Sequence, residues 1–220
     1  MSIIHRTSLT PTKLELLTSW LPGRPWYQGD APEPQLTKAG GFRLDDPEGE
    51  VGLEFMAATD TSGDEPVTYH VPLSYRGAPL PGGDGALIGT TEHGVLGRRW
   101  VYDGTRDLLL VTQLFALLLG EAEPQAQSIS DTIDPSVTRC ITGNVGTLPI
   151  SITDVTDQPR STDITIRSAE APQSLMLRVN RILRPHAPGL MAGTLGHITA
   201  EWAGPGAGQS RGRFILLRLP

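Results

Sequence analysis

Asp103-Gly104-Thr105-Arg106-Asp107-Leu108-Leu109-Leu110-Val111-Thr112-Gln113-Leu114-Phe115-Ala116-Leu117-Leu118-Leu119-Gly120 is the stretch on which the fold turns. A helix is expected to begin after Asp103 and to run through Leu109, Val111, Leu114, Phe115, Leu118 and Leu119. Gly120 is expected to end it, because the residue after a last helical turn commonly takes a left-handed conformation that glycine adopts without strain. The apolar residues cover most of the helix circumference, so it should be sandwiched and not laid on a surface. Leu108 to Leu119 is also the longest apolar run, and Thr112 and Gln113 interrupt it. It falls short of the roughly 18 residues a membrane span needs, so no membrane insertion is expected.

One more helix is visible near the start. Thr10 is expected as its N-cap and Pro11 as its first residue. Leu14, Leu17 and Leu21 then fall at i, i+3 and i+7, and Pro22-Gly23 stops the helix. Most other segments read as strands. Residues 52–56, 67–71 and 163–167 alternate apolar with polar, while 175–179 and 213–217 look more fully buried. Residues 196–202 form a further strand, joined to the last by the turn-rich 204–208. The polar connector Glu121–Pro135 separates residues 1–120 (two or three strands with a helix at each end) from an all-strand 121–220. The fold class expected is α+β, antiparallel sheets with few helices.

Composition agrees. Glycine (25) and proline (19) make up a fifth of the 220 residues, too much punctuation for a helical bundle or coiled coil. A formal net charge of −6 argues against a nucleic-acid partner, which calls for a basic face. Lys13 and Lys38 are the only lysines. The lone Cys140 has no internal disulfide partner, and Met1 to Arg6 lacks a charged-then-apolar leader, so a cytoplasmic location is expected.

Motifs for chemistry are sparse. The five histidines lie far apart with no i, i+4 pair, which disfavours a zinc site, and His70 and His197 read as hydrogen-bonded structural residues on strands. There is no Gly-x-Ser-x-Gly elbow and no Gly-x-x-x-x-Gly-Lys-Ser/Thr loop, and Gly82-Gly83-Asp84-Gly85 lacks a helix start to cradle phosphate. Cys140 reads as a small buried hydrophobe on a strand over 137–141. Asp45-Asp46-Pro47-Glu48-Gly49-Glu50 reads as a solvated turn between strands, not as a cation site. The aromatics cluster at Trp20, Trp26 and Tyr27, and again at Trp100 and Tyr102. Such groups either stack on a sugar or anchor helix ends against a sheet. No catalytic, cofactor-binding or metal-binding residue is assigned.

The segment Thr18-Ser19-Trp20-Leu21-Pro22-Gly23-Arg24-Pro25-Trp26-Tyr27 resembles the start of actinobacterial maltokinases. Tyr69-His70-Val71-Pro72-Leu73-Ser74-Tyr75-Arg76 is similar to the next strand of their N-terminal cap, and Trp100-Val101-Tyr102-Asp103-Gly104 with its helix to the cap's closing element. Leu175-Met176-Leu177-Arg178-Val179-Asn180-Arg181-Ile182-Leu183 resembles the kinase N-lobe strand that carries the ATP-binding lysine, and Arg184 to Leu190 resembles the stretch after that strand. The resemblance implies a cap-like subdomain over 1–120 and an N-lobe-like β subdomain over 121–220. Arg178 stands where the lysine is expected, and a planar guanidinium does not replace a compact ammonium on phosphates. No glutamate lies between Arg184 and His197 to pair with it, and the 220 residues contain no His-x-Asp catalytic loop.

The resemblance therefore implies a non-catalytic accessory or regulatory protein of α-glucan, trehalose or maltose metabolism, without a cofactor. Its expected partner is trehalose synthase or another α-glucan pathway protein. Trp26, Tyr27, Trp100, Tyr102 and Arg178 are the candidate ligand or partner surface. The alternatives are a carbohydrate- or nucleotide-binding protein using the same aromatics, with a small sugar as ligand, and a glucan-pathway enzyme. The last needs a carboxylate pair that no spacing among the 24 acidic residues picks out.

Overall fold

The computed structural model describes residues 9–29, 33–127, 129, 132–171, 173–185, 193–204, 206 and 208–220. The segments 1–6 and 186–190 discussed above fall outside the described residues. In chain order the elements are β1 (Leu9–Thr10), α1 (Lys13–Trp20), β2 (Leu36–Leu44), β3 (Gly52–Asp60), β4 (Val67–Arg76), β5 (Leu87–His93), β6 (Gly97–Asp103) and α2 (Leu108–Leu119). They continue with β7 (Gln125–Ala126), β8 (Thr138–Ile141), β9 (Thr147–Gln158), β10 (Ser161–Ala169), β11 (Leu175–Asn180), β12 (Thr194–Ala203) and β13 (Gln209–Arg218). Antiparallel sheet with two short helices dominates, as expected. Among the described residues no helix is long and apolar enough to cross a membrane.

Both helices start later than expected, because a better cap lies downstream. Thr12, not Thr10, caps α1: its hydroxyl accepts from the Glu15 N–H at 3.3 Å, and the Glu15 carboxylate accepts from the Thr12 N–H at 2.7 Å. Thr10 instead pairs with Glu92 at the start of the sheet. Asp103 caps only a 3-10 turn over Gly104–Arg106, and Asp107 then caps α2 by accepting from the Leu109 N–H at 3.1 Å. Gly120 closes α2 at φ 84°, donating to the carbonyls of Ala116 and Leu117. Eight of the twelve α2 residues are buried, so the helix is enclosed as its all-round apolarity required.

The strands follow the order β1-β5-β6-β4-β3-β2-β12-β13-β11-β10-β9. The middle of this path closes on itself. Just beyond β11, Ile182 bridges Tyr69 of β4, the Arg181 carbonyl accepts from the His70 N–H at 2.8 Å, and the Leu183 N–H donates to the Thr68 carbonyl at 2.8 Å. With Trp202 of β12 paired to Gly40 of β2, the strands β2, β3, β4, β11, β13 and β12 form a ring. Aromatic side chains meet inside it: Phe42 stacks on Phe55 at 4.6 Å, and Phe214 lies 4.6 Å from His70 and 6.0 Å from both Phe42 and Trp202. This core continues into α2 and takes in Ile164, Leu177 and Val179, so strands on either side of residue 120 share it.

A second, smaller core lies on the opposite face of β3 and β4. There Leu17, Leu21 and Trp26 cover Met56, Ala58, Tyr69, Val71 and Val101. The aromatic residues around Trp20 thus anchor a helix end against a sheet.

Asp107 ties helix to sheet, because its carboxylate also takes a two-pronged ion pair from Arg76, both bonds 2.7 Å. Burial pushes this carboxyl up, but the bonds from Arg76 and the Leu109 N–H outweigh it and hold it below the usual range. Asp107→Ala removes the cap and strands the Arg76 guanidinium. It should lower stability by about 2–3 kcal/mol, measurable as a fall in the urea midpoint at unchanged m-value.

Candidate functional site

The structure disperses the five candidate surface residues. Trp26 is buried in the smaller core, tilted against Tyr69 at 6.0 Å and edge-on to Trp20 at 5.7 Å. Tyr102 is buried too, and its hydroxyl accepts from the Leu80 N–H at 2.8 Å. Neither belongs to a surface: both fill the interior that a chain poor in large side chains needs filled. Tyr27 is half-buried, stacked on Tyr69 at 5.7 Å, with its hydroxyl 3.4 Å from Asp60. Trp100 is half-buried on β6. Arg178, on β11, reaches across to β10 and makes a two-pronged pair with Asp163, both bonds 2.7 Å. Hydrogen bonding and the Asp163 charge raise its pKa further against partial burial, so the guanidinium is engaged and permanently charged.

His70 is wholly buried, with Nδ1 3.0 Å from the Asn180 carbonyl, which is the structural role expected of it. Cys140 lies on β8 but is half-buried, not buried, because that short strand pairs only with β12 among the described residues. The acidic stretch is a turn between β2 and β3 organised by Asp46, whose carboxylate accepts from the N–H groups of Glu48, Glu50 and Val51 at 2.9–3.1 Å. Among the described residues no group of three histidine, cysteine, aspartate or glutamate side chains is placed to hold a metal ion.

Two polar clusters that the sequence did not single out are built instead. The first surrounds Arg181, which has no exposed surface. Its Nη2 donates to Asp103 at 2.5 Å and to Thr105 at 3.1 Å, its Nε donates to Thr162 at 2.8 Å, and its guanidinium lies 4.7 Å from the Trp26 ring centroid. It links β6, the 3-10 turn, β10 and the segment after α1 at the point where the strand ring closes. Burial and then the Arg181 charge drive the nearby His70 down to about 3, with the Asn180 carbonyl opposing them, so its imidazole is neutral at physiological pH.

The second cluster centres on Glu54, a buried carboxylate on the α1-facing side of β3. Lys13 at the start of α1 donates to Oε2 at 2.6 Å, Tyr75 to the same oxygen at 2.8 Å, and Gln127 to Oε1 at 3.0 Å. Burial raises this carboxyl, but the Lys13 charge and the bonds from Lys13 and Tyr75 outweigh it and leave it below the usual range. Burial and the adjacent Glu54 charge push the Tyr75 phenol well above its ordinary value. Both lysines of the chain converge here, since Lys38 on β2 also feels Glu54, Lys13 and Arg43. The one sequence signal for this cluster was the rarity of lysine; Glu54 itself sits unmarked in an alternating strand.

No curated protein matches this chain. Residues 20–107, from the end of α1 through the carboxylate that caps α2, match the family model of the maltokinase N-terminal cap domain, and this segment is cap-like.

Proposed function

We propose that this chain is a non-catalytic, maltokinase-related accessory module of α-glucan, trehalose or maltose metabolism that acts by binding a protein partner. The observation that carries the reading is Arg178. At the position that resembles the phosphate-binding lysine of a kinase N-lobe, the chain has a guanidinium that spends its Nε and Nη2 on Asp163, both at 2.7 Å. To reach those two nitrogens a phosphate ligand would have to displace a two-pronged, partly buried ion pair, among the stronger hydrogen-bonded arrangements available to side chains. The cap-like segment 20–107 supports the link to maltokinases. On this reading the strands after residue 120 are a degenerate counterpart of the N-lobe that has kept its antiparallel pairing and lost its phosphate chemistry.

Trehalose synthase is the partner to test first. Purified trehalose synthase mixed with the full chain should give a complex of the summed mass by size-exclusion chromatography with light scattering. Separate elution of the two at tens of micromolar rules that partner out. Titration with maltose and trehalose, followed by tryptophan fluorescence, should stay flat at millimolar sugar; a saturable response favours the carbohydrate-binding alternative.

A further inference from the structure

The Glu54 cluster carries more positive charge than its own structure uses. On β2, the register places Lys38 opposite Ala58, Gly41 opposite Met56 and Arg43 opposite Glu54. Ala58, Met56 and Glu54 alternate along β3 on the face covered by α1, so Lys38 and Arg43 emerge on that same face. A bulge between Lys38 and Gly40, with Gly40 and Gly41 both at positive φ, keeps the two cations on one side although their separation along the strand is odd. Lys13 comes down on Glu54 from α1. Three cations thus share this face with two buried carboxylates: Glu54, which Lys13 contacts, and Asp60, which is held by the Gln35 and Ser62 N–H groups and the Tyr27 hydroxyl.

Those charges are only partly engaged. Arg43 spends its Nε on the Ala126 carbonyl at 3.3 Å, while its Nη2 is buried without a hydrogen-bond partner among the described residues. Lys38 reaches solvent with its pKa lowered by partial burial and by the charges of Lys13 and Arg43, against the pull of Glu54. Crowding like charges costs stability, and the cost persists unless an anion relieves it. The chain as a whole is acidic, at −6, so this cationic patch runs against the overall balance.

We propose that Lys13, Lys38 and Arg43 form a binding site for a small phosphate-bearing anion, either inorganic phosphate or a phosphate monoester. The free edge of the Arg43 guanidinium takes one oxygen, as suits its fixed fork, and Lys38 takes a second as a mobile point charge. Lys13 is shared between Glu54 and the anion. Tyr75 and Gln127 remain on Glu54, so the carboxylate stays satisfied while Lys13 turns toward the ligand. Lys13 pairs with Glu54, whereas neither Lys38 nor Arg43 forms a salt bridge among the described residues, and a dianion suits those two. A carboxylate, with half that charge and two oxygens, matches them less well.

Calorimetric titration of the full chain at low ionic strength with inorganic phosphate, methyl phosphate and acetate tests the site. Phosphate should bind saturably at one site, and acetate should bind at least about tenfold more weakly, the worth of one charge-assisted hydrogen bond. Binding of methyl phosphate as tightly as phosphate identifies an ester ligand; much weaker binding identifies free phosphate. Lys38→Gln and Arg43→Gln should each weaken phosphate binding about tenfold or more. Lys38→Gln leaves the fold intact because the Lys38 side chain is exposed and bridges no two elements among the described residues, so it decides the matter even where Arg43→Gln unfolds. Unsaturable heats, or equal affinity in Lys38→Gln, mean an adventitious ion only and overturn the proposal. Complex formation with trehalose synthase is a separate readout, so this site and the accessory reading fail independently.

Discussion

Arg181→Leu should lower the stability of the folded chain by about 3–5 kcal/mol, the usual cost of stranding one partner of a buried ion pair. For a domain of this size each kcal/mol shifts the melting temperature by roughly 2–4 °C, so a fall of roughly 10 °C or more is expected by calorimetry. The physical reason is not simply the loss of four contacts. Asp103 is buried and would be left charged without its counter-ion, since its remaining side-chain bonds among the described residues come from the Thr105 N–H at 3.1 Å and the Thr105 hydroxyl at 2.8 Å. The double variant Arg181→Leu with Asp103→Asn removes the stranded charge and keeps a polar group for Thr105. It should therefore recover a good part of the loss. A single variant that melts within a degree or two of the parent would show that the ring does not depend on this latch.

Acid should destabilise the fold through His70 over a window set by its pKa. The ordinary value is 6.5 and the folded value is about 3, so on lowering pH the unfolded chain takes up the proton first. Stability from this group is fully present above about pH 6.5 and is lost at about 1.4 kcal/mol per unit as pH falls toward 3. His197 is shifted down as well, by partial burial and by Arg213, and adds a smaller slope of the same sign. His70→Phe keeps an aromatic ring against Phe55 and Phe214 but leaves the Asn180 carbonyl without its donor. That variant should start about 1–2 kcal/mol less stable at pH 8. Its stability should then fall less steeply from pH 6.5 to 5, keeping only the smaller slope of His197, since carboxylates have barely begun to titrate there. Urea midpoints across that range make the comparison, and parallel slopes for parent and variant would refute the assignment.

How much of this was legible in the sequence depends on the element. The α2 helix announced itself because twelve residues from Leu108 to Leu119 are nearly all apolar and a glycine comes next. The starts of both helices were misplaced because Thr10 and Asp103 are good cap residues placed in other turns, and only the backbone path shows that Thr12 and Asp107 win. Strand β2 was missed because Gly40-Gly41 breaks its alternation. That break is a bulge, and a glycine at Gly41 is required there, since a Cβ would lie 2.0 Å from the Phe55 carbonyl oxygen. Strand β9 carries Pro149 near its start and lies at the edge of the sheet, where a missing N–H is tolerated.

The ring of strands was beyond reach for a different reason. It closes through one pair at Trp202 and Gly40 and one bridge at Tyr69 and Ile182, contacts between segments far apart in the chain that no local pattern encodes. The polar clusters share this property. Lys13, Glu54 and Gln127, or Asp103 and Arg181, are ordinary residues in their own segments and become special only when the sheet brings them together. Trp26 and Tyr102 lie in the interior for the converse reason. Trp26 and Tyr102 are conspicuous in sequence because they are large, and being large they are what the core takes first.

The accessory reading stands or falls on phosphoryl transfer. The direct test incubates the full chain with magnesium, γ-labelled ATP and maltose or glucose, and traces label into sugar phosphate over hours. No transfer above the protein-free control is expected, whether or not phosphate binds at the Lys38 site. Sugar phosphate formed over many turnovers, and retained in Arg178→Lys, would show that the chain is a kinase in its own right and would overturn the accessory reading.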